Sequence, residues 1–312
     1  MKYTTLKKTD MKISTIGVGT NKIGGHNIFQ GLDESEGKAF LREAIHLGMN
    51  FIDTADIYGP ARSEELVGEV LQNIDVKRED LIVATKGGVQ WGQPGGNRKN
   101  NDPAYLRSAV EDSLKRLQLD YIDLYYLHWP DNVTPFSESI GELVKLKEEG
   151  KIRAIGVSNL PIEQLKEAAK VTEIAAMQSD YNMFDRTVEK DVLPFCAENQ
   201  ISFIPCYPLA SGLLGGKYKV GDPVPKGLTE EQFHQRIEIA DKLKPIASKK
   251  GTTLANLALA WLLAQDGVDS VIPGGRGPDH ARGTAKAADV SLSAEELRVI
   301  NEILTQGKTT VS

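Results

Sequence analysis

The chain has little cysteine and no arrangement that would put it to structural or metal use. Cys196 and Cys206 are the only 2 thiols in 312 residues. They form no Cys-x-x-Cys pair and lack a neighbouring histidine cluster, which argues against a disulfide framework or a zinc site and for free thiols. The 5 histidines, His26, His46, His128, His234 and His280, stand far apart, so a metal would need long-range convergence and none is expected. Long apolar runs are also missing: nothing approaches a bilayer-spanning length, and polar Met1 to Asp10 has no signal core, so a cytoplasmic protein without a membrane partner is expected. A dense basic stripe is absent too. With 43 acidic against 37 basic residues and a net charge of −6, nucleic acid is not an expected partner. Two phosphate-binding signatures fail on glycine spacing. Gly17-Val-Gly19-Thr-Asn-Lys22 lacks the third glycine of a Rossmann fingerprint, and Ser211-Gly-Leu-Leu-Gly-Gly-Lys217 does not have Walker spacing.

What is present is the composition of a globular protein, 40% apolar and 26% charged, with a regular alternation of short apolar runs and helical patterns. A hairpin is expected at Tyr3 to Leu6 and Met11 to Ile13. Strands are then expected at Ser14–Gly19, Asn50–Asp53, Leu81–Thr85, Ile122–Leu127, Ile152–Val157, Ala175–Gln178, Ser202–Cys206 and Ser270–Ile272. Helices are expected between them: Glu36–Leu47, Ser63–Leu71, Ala104–Leu117 behind the cap Asp102-Pro103, Phe136–Glu149, Ile162–Lys170, Val188–Asn199, one within Thr253–Gln265, and Asp279–Ala288. Two more fall outside the repeat, Ile237–Lys250 and Ser293–Thr305, the latter opened by the capping box Ser293-x-x-Glu296. This order argues for parallel strands joined by crossover helices, an α/β (β/α)8 TIM barrel of one domain over residues 1–312, with an open doubly wound sheet as the alternative.

In such a barrel the reactive groups lie where strands end. The expected strands end at Asp53, Thr85-Lys86-Gly87, His128-Trp129-Pro130, Ser158-Asn159, Gln178, Tyr207 and Pro273-Gly274-Gly275-Arg276. Each alone has an ordinary reading: Lys86 as a solvated loop lysine, His128 as a satisfied core ring, Ser158-Asn159 as a helix cap, Gln178 as a core amide, Tyr207 as packing. Their delivery to one mouth favours a site. Tyr58 follows Asp53 in Phe51-Ile-Asp-Thr-Ala-Asp-Ile-Tyr-Gly59. A tyrosine of pKa about 10 would be lowered by a neighbouring ammonium, with Asp53 holding Lys86 in place. It would then act as general acid toward a developing alkoxide, a contribution of about 10²–10⁴ in rate, while His128 orients the same oxygen. Carbonyl reduction by this set also needs a hydride donor. Ser158, Asn159 and Gln178 suit a carboxamide, Tyr207 a flat ring, Arg276 a phosphate, and the backbone amides and Lys217 of the 211–217 loop a pyrophosphate.

These motifs resemble the aldo-keto reductases over essentially the whole chain. Phe51-Ile-Asp53-Thr-Ala-Asp-Ile-Tyr58-Gly, Thr85-Lys86, Leu127-His128, Gly156-Val-Ser158-Asn159, Gln178 and Ile272-Pro-Gly-Gly275 carry the resemblance in order and spacing. Ser63-Glu-Glu-Leu-Val-Gly68 and Ser113-Leu-Lys-Arg-Leu117 are similar to the bacterial branch of inositol-operon and general-stress reductases, itself similar to potassium-channel β subunits. The resemblance implies a (β/α)8 barrel, a tetrad of Asp53, Tyr58, Lys86 and His128, and NADPH extended across the rim, with NADH not excluded. It implies Tyr58 as proton donor, Gly19 and Thr20 beside the nicotinamide, Ser158, Asn159 and Gln178 on its amide, and Tyr207 stacked on its ring. Pro208 and the loop from Leu209 through Ser211, Gly212 and Leu214 to Lys217 would fold over the pyrophosphate. Pro273, Gly274, Gly275 and Arg276 would follow toward the 2′-phosphate. In the next helix this chain departs from the family pattern with His280, Gly283 and Thr284, which bears on the adenine end. Trp91, Trp129 and Phe29 are expected to wall a small aldehyde or ketone, sugar-derived ones included, under a flap built from Gly87-Gly88 and Gly92 to Asn101. Two other readings stand beside the reductase: a Schiff-base lyase using Lys86, and a non-catalytic NADPH sensor.

Overall fold

The computed structural model describes residues 1–92 and 96–306. Its centre is a parallel sheet of β3 (Val18–Gly19), β4 (Phe51–Asp53), β5 (Ile82–Gly87), β8 (Ile122–Leu127), β9 (Ile152–Ser158), β10 (Ala176–Asp180) and β11 (Ser202–Cys206), in the spatial order β11-β10-β9-β8-β5-β4-β3. Between them in sequence come a two-stranded ribbon, β6 (Val89–Gln90) with β7 (Arg98–Lys99), and before them the hairpin β1 (Tyr3–Thr5) with β2 (Lys12–Ser14). The sheet curls, and residues 267–274 close it. Phe203 N–H donates to Gly267 O on one side, and Gly17 and Gly19 N–H donate to Val271 and Pro273 carbonyls on the other.

The crossover helices are α1 (Glu34–His46), α2 (Arg62–Gln72), α3 (Pro103–Leu117), α4 (Phe136–Glu148), α5 (Ile162–Val171), α6 (Val192–Glu198), α8 (Leu254–Leu263) and α9 (Pro278–Ala285), with α7 (Glu230–Lys249) and α10 (Ala294–Gln306) outside the repeat. Their boundaries follow local chemistry. Asp102 accepts from the Ala104 and Tyr105 amides ahead of Pro103, which needs no partner at the first turn. Ser293 and Glu296 exchange both hydrogen bonds of the expected capping box.

Apolar side chains divide into two layers. Inside the barrel Phe51, Ile82, Ala84, Leu124, Tyr126, Ala154, Ala176 and Ile204 pack together, and Leu6, Met11 and Ile13 of the hairpin cover that cluster at its lower end. Outside, the helices bury their apolar faces against the sheet. One end is thereby plugged, and polar chemistry is left to the opposite rim.

Five expectations change. The expected strand Ser14–Gly19 is split: Ser14 ends the hairpin strand β2, Ile16 makes one isolated bridge, and only Val18–Gly19 joins the sheet. Ser270–Ile272 forms isolated parallel bridges at Val271 and Gly274 rather than a ladder, because Pro273 has no N–H to continue it. The expected helix at 188–199 is broken: a 3-10 turn, Thr187–Lys190, stops at Asp191, whose carboxylate caps α6. Helix 279–288 becomes α9 followed by a second 3-10 turn, Lys286–Asp289. The helix expected to open at Ile237 begins at Glu230, where Thr229 and Gln232 make a reciprocal capping box that the polar Glu-Glu-Gln run concealed.

Candidate active site

Asp53 and Lys86 come from neighbouring strands, β4 and β5, and meet at the rim. Lys86 Nζ donates to Asp53 Oδ1 at 2.5 Å and to the Thr54 carbonyl at 2.7 Å. Lys86 is fully buried and Asp53 is 2% exposed, so the pair is shielded from water. The second carboxylate oxygen, Asp53 Oδ2, accepts from Gln178 Nε2 at 2.9 Å, and Gln178 Oε1 accepts from Cys206 Sγ at 3.1 Å. Four side chains from β4, β5, β10 and β11 therefore form one chain of hydrogen bonds across the barrel mouth.

Tyr58 and His128 stand over this floor. Their rings meet edge to face with centroids 6.3 Å apart, and Lys86 Nζ lies 5.5 Å from the Tyr58 ring centroid. His128 stacks on Trp129 at 3.9 Å, and its buried Nδ1 has no partner among the described residues. Burial, then the charge of Lys86, hold the imidazole well below its ordinary pKa, which leaves it neutral at physiological pH. Tyr58 departs from the expectation of a lowered pKa. Burial, followed by the charge of Asp53, pushes the phenol well above 10. Lys86 does not offset this, because its hydrogen bonds go to Asp53 and the Thr54 carbonyl, and Asp53 balances its charge. A raised pKa keeps the proton on Tyr58, and an alkoxide, being more basic than a phenolate, can still take it.

The loop bearing Tyr58 is held from outside the barrel. Asn27 Nδ2 donates to the Ile57 carbonyl at 3.0 Å and Asn27 Oδ1 accepts from Gly59 N–H at 2.8 Å. Gly59 adopts φ 75°, and a Cβ there would lie 1.9 Å from the Gly24 carbonyl oxygen. Only glycine fits that crossing.

A cavity of about 610 Å³ opens above these groups. Of the residues expected from sequence it is lined by Asp53, Tyr58, His128, Gly19, Thr20, Ser158, Asn159, Gln178, Tyr207, Pro208, Leu209, Ser211, Gly212, Pro273 and Gly274, with Phe29 and Trp129 also in its wall. Thr20 is tied to the floor through its N–H and hydroxyl, both donating to Asp53 O at 3.0 Å. Asn159 Nδ2 donates to the His128 carbonyl at 3.0 Å and to Ser158 Oγ at 2.9 Å. Asn159, Tyr207 and Ser211 hold left-handed φ angles of 59°, 48° and 56°, uncommon for side-chain-bearing residues and typical of segments shaped for a ligand. Tyr207 is thereby turned outward and is half exposed.

A second cavity of about 350 Å³ adjoins the first, the two sharing Lys22. Arg276 and His280 line it, and burial followed by the charge of Arg276 lowers the Lys22 pKa. His280 is likewise lowered, by burial and then by Lys22 and Lys217. Asp33, Glu36 and Asp279 line the same cavity, so its wall carries charges of both signs.

Several expected residues stand elsewhere. Trp91 lines a separate small cavity with Asp56, Tyr105 and Arg116, because the β6–β7 ribbon leans over α3. Leu214 is fully buried in the core because the 3-10 turn Ala210–Gly215 points it inward. Gly275 packs on Phe40 and His280, and the Thr284 hydroxyl bonds back to the His280 carbonyl of its own helix. Lys217 lines neither cavity, although its charge is felt at His280. The flap expected from Gly92 to Asn101 lies partly outside the described residues. Conversely, Asn21, Lys22, Asn27, Ile57, Asp180 and Cys206 line the main cavity without having been singled out. Cys206 had one available signal, its place at the last position of a strand.

The sequence profile of the Aldo/keto reductase family matches residues 15–305. Aldo-keto reductase YhdN of Bacillus subtilis is 37% identical, over 97% of this chain and 94% of that protein. NADH-specific methylglyoxal reductase of Escherichia coli is 35% identical, over 97% and 98%. Among solved structures, the glycerol dehydrogenase AKR11B4 of Gluconobacter oxydans superimposes with a TM-score of 0.91 at 34% identity, covering 99% of this chain and 97% of that one. The chain belongs to the aldo/keto reductase family, NAD(P)H-dependent oxidoreductases of aldehydes, ketones and the corresponding alcohols, and has that family's (β/α)8 barrel.

Proposed function

We propose that the protein reduces small aldehydes or ketones with NADPH, reversibly, using Asp53, Tyr58, Lys86 and His128 at the barrel mouth. The observation that carries this reading is the buried Lys86–Asp53 pair beneath Tyr58 and His128, in a cavity that continues through Lys22 into a second one lined by Arg276. The residues fit an extended dinucleotide: Ser158, Asn159 and Gln178 toward its carboxamide, the outward ring of Tyr207 toward its nicotinamide, Ser211 and Gly212 toward its pyrophosphate, and Arg276 with Lys22 toward a 2′-phosphate. When bound, the nicotinamide supplies the hydride. Tyr58 supplies the proton to the carbonyl oxygen as it becomes an alkoxide, and neutral His128 orients that oxygen by hydrogen bonding. Lys86, fixed by Asp53, places positive charge behind the Tyr58 ring. Phe29, Ile57 and Trp129 give the carbonyl an apolar wall.

Lys22 and Arg276, the two cations of the second cavity, favour NADPH over NADH, with Asp33, Glu36 and Asp279 opposing them from the same wall. The chain acts as one barrel domain, in the cytoplasm, without nucleic acid; among the described residues no helix is long and apolar enough to cross a membrane. A Schiff-base lyase is disfavoured by the two hydrogen bonds Lys86 donates to Asp53 and Thr54, which occupy its nitrogen and tie it away from a substrate carbonyl. The test is an aldehyde and ketone panel, 4-nitrobenzaldehyde included, run with NADPH and NADH in parallel. Nicotinamide oxidation is the expected result. Binding of NADPH without turnover on any substrate would give the site to the sensor reading instead.

A further inference from the structure

Gln178 is bound at both ends of its amide. Its Nε2 donates to Asp53 Oδ2 at 2.9 Å and its Oε1 accepts from Cys206 Sγ at 3.1 Å. The two bonds divide the work. A carboxylate accepts only, so Asp53 decides which end of the amide faces it. That bond leaves the amide plane free to swing about the N–H···O axis. Cys206, approaching from β11 on the opposite side, holds the carbonyl end and removes that freedom. Burial pushes the Cys206 thiol well up, so it keeps its S–H and remains a donor across the working pH range. A thiolate there would face an amide oxygen, with no hydrogen to share.

Resting on the nicotinamide reading above, we infer that Cys206 is a positioning residue that fixes the plane of the Gln178 amide, and with it how the enzyme recognises the coenzyme carboxamide. Gln178 Oε1 has two acceptor positions, and Cys206 takes one. The other is the position that an N–H donor in the cavity both residues line would take, with the buried Tyr126 hydroxyl as the remaining polar neighbour of this amide. With Nε2 committed to Asp53, the Gln178 carbonyl presents itself to a ligand as an acceptor for an –NH₂ group. A coenzyme ending in a carboxamide meets that need; one ending in an acetyl group, which has the carbonyl but no N–H, does not. Cys206 therefore contributes to discrimination between those two groups, not to overall dinucleotide affinity, which rests on the distant phosphate groups.

The experiment is an equilibrium titration of NADPH and of its 3-acetylpyridine analogue, followed by quenching of tryptophan fluorescence, on wild type, Cys206→Ala and Cys206→Ser. Wild type is expected to prefer the carboxamide. Cys206→Ala should reduce that preference about 3- to 10-fold, the size of one modest hydrogen bond. Cys206→Ser, which restores a donor, should return the ratio to within about twofold of wild type, and matching thermal unfolding midpoints should confirm that all three are folded. A wild-type ratio in Cys206→Ala, or a loss that serine does not repair, overturns the inference and leaves the reductase reading intact. Failure of wild type to bind either dinucleotide overturns both.

Discussion

Lys86 Nζ and Asp53 Oδ1 meet at 2.5 Å in a part of the barrel mouth where neither side chain exposes more than 2% of its surface. Two charges so placed depend on each other, because removing one leaves the other desolvated and unpaired. Lys86→Met is expected to lower folding stability by about 3–5 kcal/mol, a cost characteristic of breaking a buried pair. Urea denaturation measures it, and Asp53→Asn should show a loss of similar kind. A change under about 1 kcal/mol would mean that the pair is more hydrated than its burial indicates.

Tyr58→Phe removes the proposed proton and little else. Turnover of 4-nitrobenzaldehyde should fall by about 10²–10⁴ while NADPH binding, measured separately by fluorescence titration, stays near the wild-type value. Equal loss of binding and turnover would assign Tyr58 to the coenzyme instead.

His128 is held neutral by burial and by Lys86, its folded pKa lying well below 6.5. The unfolded chain binds a proton at this residue where the folded one does not. Its contribution to stability is therefore full above about pH 6.5 and lost as pH falls below that value, with a slope of at most about 1.4 kcal/mol per pH unit. Denaturation of wild type and His128→Asn between pH 7.5 and about 5 should show a shallower acid loss in the variant. Parallel curves would remove His128 as the source.

Among the described residues Arg276 makes only long hydrogen bonds, 3.2 Å to the Gly31 carbonyl and 3.4 Å to that of Gln30. A phosphate offers it charge-assisted partners in exchange. Arg276→Ala should weaken NADPH binding about 10- to 100-fold and NADH binding far less. Equal weakening of the two would place Arg276 away from the 2′-phosphate.

Asp56 lies 2% exposed with one carboxylate oxygen lacking a partner among the described residues. Burial, then the charge of Glu64, raises its pKa well above 3.8. A group raised in this way costs stability progressively as pH climbs from the unfolded value toward the folded one. Asp56→Asn is expected to stabilise the protein at pH 7 by about 1 kcal/mol or more, and to flatten the stability profile above about pH 4. Destabilisation at pH 7 would show that the carboxylate is satisfied.

Most of the architecture was legible because the signals were local. The alternation of short apolar runs with helical spacing, and caps such as Asp102-Pro103 and Ser293-x-x-Glu296, depend on neighbours a few residues away. The break at Asp191 and the irregular closure at residues 267–274 were not legible, since they follow from what each segment meets across the barrel.

The sequence by itself determined which residues end the strands, and hence that Asp53, Lys86, His128, Ser158 and Gln178 share one rim; strand parity and the crossover connections leave little choice. Only the tertiary structure decided how those side chains use one another. Gln178 is bound between Asp53 and Cys206, residues 125 positions before it and 28 after it. Trp91 is carried to another cavity by a ribbon, and Tyr58 is raised rather than lowered in pKa. Burial, and the competition of Asp53 and Tyr58 for one ammonium, arise between segments far apart in the chain, and a linear pattern does not contain them.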